Sequence, residues 1–395
     1  MGGKYGGIII NLSRMQPRND VNTRSPVFMP TPPNSYIRYA NGVEEIQPNE
    51  DQLTNETVES MARLNRFMFE KHRHAIRDAH AKSHGVLRGE LQIYPDLPGH
   101  LAQGVFREAR TYPVIIRLSS APGAVNSDKM PANKGLAIKI IGVEGEKFLA
   151  DQKDEVTEDF LLVNDTIIPT GDIKSYHDMQ LKLEQLAYTP EILQETFANA
   201  TNLATKALNA VGIHPNINPL GPGDQNHHLL GETYHTLGAI RYGDYVAKIS
   251  LAPLSENVKA LTCQKVDVQD DSTWRDLVVD FFKTQDAEYE LRAQLSNDLK
   301  IMPVEDASVE WPEKQSRHQP IGKIVIPAQD AYSPARRVFA DDVLSFNPFH
   351  CLPEHLPLGS INRARIKAYE SSAAYRHRMN AQPRREPRDI NELPD

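Results

Sequence analysis

Four short apolar runs, Gly85 to Ile93, Val114 to Leu118, Gly135 to Ile141 and Phe160 to Val163, follow one another with Gly, Pro and Asp between them. Runs this short, rich in Val and Ile and closed by turn residues, read as strands of an antiparallel sheet rather than as helices. Further strands are expected at Thr233 to Ile240, Tyr245 to Ser250, Val304 to Trp311 and Lys323 to Ile326. Strands in succession, without a helix between each pair, point to an α+β fold built on an antiparallel β-barrel with helices around it.

The helical segments stand apart from this series. Thr54 can cap a helix whose apolar positions Val58, Met61, Leu64, Phe67 and Met68 recur at helical spacing up to about Arg77. Ile173 to Ala210 carries Leu181, Leu183, Leu186, Ile192 and Leu193 among Gln, Glu and Lys, and reads as a helical insertion. Trp274 to Phe282 reads as a shorter helix, and Ser360 to Tyr375, free of Gly and Pro, as a last one. The expected organisation is an extended, Pro-rich and Asn-rich N-terminal arm over 1–52, one domain over 53–380, and a loose polar tail over 381–395.

Charge and composition remove several functions. The 395 residues carry a formal net charge of −8, which argues against nucleic acid as a partner. No apolar run approaches the roughly 20 residues of a membrane span, and Ile8-Ile9-Ile10 is too short for the core of an export signal, so a soluble, cytoplasmic protein is expected. Cys263 and Cys351 have no metal-binding spacing and read as packed or idle thiols. The chain has no P-loop, no GxGxxG fingerprint, no GxSxG elbow and no CxxC pair. Chemistry must therefore come from histidine, tyrosine and arginine.

Two places qualify. His80 and His84 lie four apart where the first helix gives way to the first strand, and on a continuous helix they could share a metal. Gly85-Val86-Leu87 indicates that the helix has ended by then, and capping or surface histidines are the plain alternative. Arg365 and Tyr369 are also four apart, on the last expected helix, which puts a guanidinium one turn from a phenol and favours the phenolate. A solvated Arg beside a core Tyr is the ordinary outcome of that spacing.

Taken in order along the chain, these segments resemble the haem-binding core of the catalase family. Arg77 with His80-Ala81-Lys82 and Gly85 resembles its distal histidine segment, and Arg117-Leu118-Ser119-Ser120 with Gly123 resembles its next strand. Gly135 to Lys139 and Leu162-Val163-Asn164-Asp165-Thr166 resemble the strands that follow. Tyr234-His235-Thr236, Trp311-Pro312 through Gly322-Lys323, and Phe346-Asn347-Pro348 have similar counterparts. Arg365 and Tyr369, with Arg376-His377-Arg378 behind them, resemble the proximal Arg-x-x-x-Tyr helix. The likeness spans roughly 65 to 380.

The resemblance implies a haem cofactor, haem b, with Tyr369 as the iron ligand and Arg365 holding it ionised. His80 would act as general acid and base on a peroxide, Asn164 would donate a hydrogen bond to it, and Ser119 would orient the imidazole. Arg77 and Arg117 would pair with the haem propionates. The implied activity is that of a catalase or peroxidase on hydrogen peroxide or organic hydroperoxides, with a small-molecule peroxide as substrate and a homo-oligomer as the assembly. Departures from the family pattern at Ala79, Ala132, Leu136 and Glu370-Ser371 imply a smaller, less polar approach to the iron. They raise two alternatives: a fatty-acid hydroperoxide isomerase or dehydratase resembling coral allene oxide synthase, and a non-catalytic haem-binding protein.

Overall fold

Strand alternation decides the architecture and with it the side on which a ligand can bind. A computed structural model describes residues 35–130, 132–189 and 226–395. Its nine strands are β1 (Lys82–Ile93), β2 (Thr111–Ser120), β3 (Lys134–Ile141), β4 (Thr157–Val163), β5 (Tyr234–His235), β6 (Ile240–Tyr242), β7 (Tyr245–Pro253), β8 (Ala287–Leu295) and β9 (His318–Ile326). They pair in the order β5-β4-β3-β2-β1-β9-β8-β7-β6, every pairing antiparallel, and β5 also pairs with β7. That last pairing closes an eight-stranded barrel and leaves β6 as a hairpin strand on β7.

Every second residue faces the barrel interior. Val114, Ile116 and Leu118, then Leu136, Ile138 and Ile140, then Ala247, Ile249 and Leu251 fill it. A barrel of about eight strands is just wide enough for its own side chains. A large ligand must therefore sit outside, against the other face of the wall, where the same alternation puts Arg117, Ser119, Gly135, Ala137, Leu161 and Val163.

Among the described residues, four helices of eight residues or more accompany the barrel: α1 (Glu50–His72), α2 (Ile173–Ala187), α3 (Thr273–Phe282) and α4 (Ser360–Met379). The first, second and fourth pack against one another. Arg63 of α1 is paired with Glu184 of α2 at 2.7 Å, and Ser60 donates to the same carboxylate. On α4, Ala364, Ala368 and Ser372 stand four apart on one buried face, so this helix presents a flat surface rather than a ridge of large side chains.

Several expectations need correction. The first helix begins at Glu50, so the arm ends at Asn49, and Thr54 is buried within the helix instead of capping it. It stops at His72 because Arg73 turns into the left-handed region at φ 54° and gives its N–H to Phe69 O, which leaves Arg77 to Ala81 in irregular chain. Residues 1–34 lie outside the described residues; from Tyr36 to Tyr39 the arm runs along the end of β7 and β8, with Ile37 N–H donating to Ser296 O at 2.8 Å. The helical insertion is helical to Ala187, and its expected continuation from 190 to 210 lies outside the described residues.

Val304 to Trp311 is not a strand. The Asp306 carboxylate accepts from both the N–H and the hydroxyl of Ser308, at 3.0 and 2.6 Å, and that local turn competes with sheet pairing. The strand the pattern left out is β8, where Ala287, Tyr289, Leu291, Ala293 and Leu295 alternate inward between charged residues. The tail is not loose: Glu386 is buried against Lys139, at 2.6 Å, and Leu393 is fully buried beside Val86 and Ile115. Cys351 is buried and Cys263 exposed, both as free thiols. No helix among the described residues is long and apolar enough to cross a membrane.

Candidate functional site

A cavity of about 320 Å3 lies between the outer face of β2, β3 and β4 and the layer formed by α1, α2 and α4. Thr57 and Met61 of α1, Tyr176 and Met179 of α2, and the small-residue face of α4 line its helical side. Of the seven residues singled out from sequence, six line it: Arg77, His80, Arg117, Ser119, Arg365 and Tyr369.

His80 is held in an uncommon conformation. Its φ of 54° is in the left-handed region, which a non-glycine residue adopts only when its surroundings fix it there. Its N–H donates to Ala121 O at 2.8 Å, and its carbonyl accepts from Arg117 Nη2 at 2.9 Å. The ring nitrogen Nδ1 is 3.1 Å from Ser119 Oγ. Across the ladder from Ser119 stands Gly135, where a Cβ would fall 2.3 Å from Nδ1, so the missing side chain is what makes room for the imidazole. Burial, then the charges of Arg117, Arg365 and Arg77, push this histidine down to about 3, which leaves it neutral at ordinary pH.

On the helical side, Arg365 Nη2 donates to Tyr369 Oη at 2.9 Å, as the four-residue spacing implied. Burial acts to lower the proton affinity of this guanidinium, but the two neighbouring phenols, Tyr369 and Tyr176, more than reverse it. Tyr176 is a second phenol in the cavity, pushed up to about 12 by burial.

At one end, three guanidinium groups converge. Arg77 and Arg376 donate to the carbonyls of Ala340, Asp341 and Leu344, and Arg117 reaches round to the chain before β1. Their ion pairs reach one carboxylate, Asp341, at 3.5 Å from Arg77 and 3.8 Å from Arg117. Arg117 Nε is buried with no partner, and burial with the Arg77 charge lowers this group to about 9. A surplus of buried positive charge with an orphaned N–H fits a ligand that carries carboxylates. With a phenol available as iron ligand and apolar walls between, the residues present fit haem. Among the described residues no cluster of His, Cys, Asp or Glu could hold a bare metal ion, and His84, buried away from the cavity against Ser120, does not join His80 in one.

Asn164 departs from its expected place. Its Oδ1 accepts from Lys134 N–H at 2.7 Å, its own N–H donates to Lys134 O, and it is not among the residues lining the cavity. Asn133 does line it, beside Ala121 and Gly135, with its Nδ2 donating to Asp165 Oδ2 at 3.4 Å. Sequence reasoning also left out Asp78, whose carboxyl is raised by burial and which lines the cavity two residues before His80. Neither Asn133 nor Asp78 carries a spacing signal; Arg376 could have been found from its position about two turns beyond Tyr369 on the same helix.

No family model matches this chain, and no curated protein does. Solved structures do. A fungal catalase superposes with a TM-score of 0.53 at 16% identity, covering 91% of this chain and 72% of the other. A bacterial catalase gives 0.53 at 14%, over 94% and 68%, and catalase A from Saccharomyces cerevisiae gives 0.50 at 14%, over 91% and 74%. The fold is catalase-like. At such identities the likeness is one of fold, and the antiparallel barrel with helices around it is the part of the sequence resemblance that these structures bear out.

Proposed function

We propose that this chain is a haem-dependent enzyme that breaks the O–O bond of hydroperoxides. The observation that carries the reading is that one cavity holds both a strained, neutral histidine from the barrel side and an Arg-supported phenol from the helical side. A general acid–base group and an anionic iron ligand are the two parts such chemistry asks of the protein.

In this reading Tyr369 holds the iron as phenolate, and Arg77, Arg117 and Arg376 receive the carboxylates of the porphyrin. Bound haem supplies the redox chemistry. The protein's own work is proton transfer. With Nδ1–H donating to Ser119 Oγ, His80 Nε2 keeps its lone pair and takes the proton of the incoming hydroperoxide, then returns it to the departing oxygen. The low proton affinity of the buried imidazole makes the second transfer easy. In this reading Asn133, whose Nδ2 also donates to Asp165 Oδ2 at 3.4 Å, hydrogen-bonds the substrate, the role the resemblance gave to Asn164.

The walls favour one substrate class. Ala137, Leu161, Val163, Ile168, Met61 and Met179 give the cavity an apolar lining, which suits an organic hydroperoxide better than hydrogen peroxide and keeps a fatty-acid hydroperoxide isomerase as the second reading. The test is to load the protein with haem and offer hydrogen peroxide, cumene hydroperoxide and a fatty-acid hydroperoxide to the parent, His80→Ala and Tyr369→Phe. Turnover of at least one substrate, lost in both variants, is expected. Haem-loaded parent that consumes none of the three would refute the proposal. Rearranged fatty-acid products without net reduction would select the isomerase.

A further inference from the structure

We propose that Asn362 is a positioning residue that holds the Arg365 guanidinium against Tyr369 without neutralising it. The inference rests on the reading of Tyr369 as an anionic ligand and concerns what keeps that anion supported.

Asn362 lies three residues before Arg365 on α4 and is 4% exposed. Its Oδ1 accepts from Arg365 Nη1 at 2.8 Å, while Arg365 Nη2 donates to Tyr369 Oη at 2.9 Å. The guanidinium is thus gripped on one side by an amide oxygen and gives its other arm to the phenol. The amide cannot be turned round. Its Nδ2 donates to Leu358 O at 2.7 Å and to Ala239 O at 3.3 Å, so both of its hydrogens are spent on backbone carbonyls. A flipped amide would set N–H against N–H and oxygen against two carbonyls. Gly238 closes the other side: a Cβ there would fall 2.6 Å from Nδ2.

What surrounds Arg365 is as informative as what touches it. Among the described residues no carboxylate comes within ion-pair distance of it. The two buried carboxylates on the nearby end of β4 are already committed, Asp159 to Lys139 at 2.7 Å and Glu158 to His355. A carboxylate at 362 would be the obvious partner for a buried arginine, and it would cancel the charge that the phenolate needs. A neutral acceptor fixes the geometry and leaves the charge free.

The experiment compares the haem-loaded full chain with Asn362→Asp, Asn362→Leu and Arg365→Gln. The phenolate-to-iron absorption band is followed as pH is lowered, and urea unfolding of each variant is recorded beside it. Both Asn362 variants should move the acid midpoint of that band upward by about one unit, a tenfold change in proton affinity, in the direction of Arg365→Gln. A purely structural role predicts instead that Asp, of the same size and shape, leaves the midpoint where it was. Parental midpoints in the Asn362 variants, with a shift in Arg365→Gln, would overturn the proposal. Should the Leu variant fail to fold, the Asp variant decides. A parent that shows no phenolate band overturns the haem reading and this inference with it, whereas a parent with the band and unresponsive variants overturns the inference alone.

Discussion

The place where the structure is least forgiving is Gly135, and replacing it with alanine tests the role of His80 without touching His80 itself. The added Cβ would stand 2.3 Å from His80 Nδ1, 2.4 Å from Cε1 and 3.0 Å from Ser119 Oγ. Ordinary contact distances are about 3.5 Å or more, so the ring must retreat by roughly 1 Å or the strands must part. Either response breaks the 3.1 Å contact between Nδ1 and Ser119 Oγ. Crowding of this kind costs about 1–3 kcal/mol of stability, and a displacement of about 1 Å at a reacting group costs on the order of 100-fold in rate. Gly135→Ala should therefore retain haem, since Tyr369 is on the other wall, while losing about 100-fold of its hydroperoxide turnover. Gly99→Ala, where an added Cβ meets nothing within 4 Å, is the control and should match the parent. Turnover in Gly135→Ala within about twofold of the parent, at equal haem content, would refute the argument that the imidazole must sit where the structure holds it.

Asn133→Leu should lower hydroperoxide turnover by about tenfold at unchanged haem content, and Asn164→Leu should act through stability instead, because its carboxamide is tied to Lys134; turnover per folded, haem-loaded molecule separates the two. Lys139→Met would leave Asp159 and Glu386 buried without their cation and should cost about 3–5 kcal/mol in urea unfolding, with the tail freed from the barrel wall and newly open to proteolysis. Burial lowers His80 to about 3 and His228, His235 and His377 to about 4. The unfolded chain takes up those protons near pH 6.5 and the folded chain does not, so stability should fall as pH drops from about 6.5 towards 4; urea midpoints at pH 7 and 5 check this, and equal midpoints would contradict it.

Legibility followed the range of the interactions involved. The barrel was readable because inward and outward residues alternate along each strand, and the same parity put Arg117 and Ser119 together on the outer face. Arg365 and Tyr369 were readable because a helix turns four-residue spacing into contact. β8 shows the same alternation and could have been read; it is masked by Glu288, Glu290 and Arg292 between its apolar positions. Asn164 is a different kind of case. The residue lies at the end of β4, where the choice between facing the cavity and bonding the neighbouring strand rests on the pairing of Lys134 with Asn164, a contact across the ladder that no local pattern encodes.

The same holds for the space around the imidazole. Nothing in Lys134-Gly135-Leu136 announces that this glycine lies under a histidine fifty-five residues earlier in the chain. Nor does Arg384 to Asp395, polar in composition, announce that Glu386 completes the charge of a lysine buried in the barrel wall. In both cases one member of a contact is defined by what it lacks or by a charge it must neutralise, and that need exists only once the chain has folded. Residues that act through their own chemistry can be found from sequence by type and spacing. Residues that act by leaving room, by staying neutral or by supplying a missing charge, as Gly135, Asn362 and Glu386 do here, become visible only beside their partners, and they are the ones whose replacement tests the site most sharply.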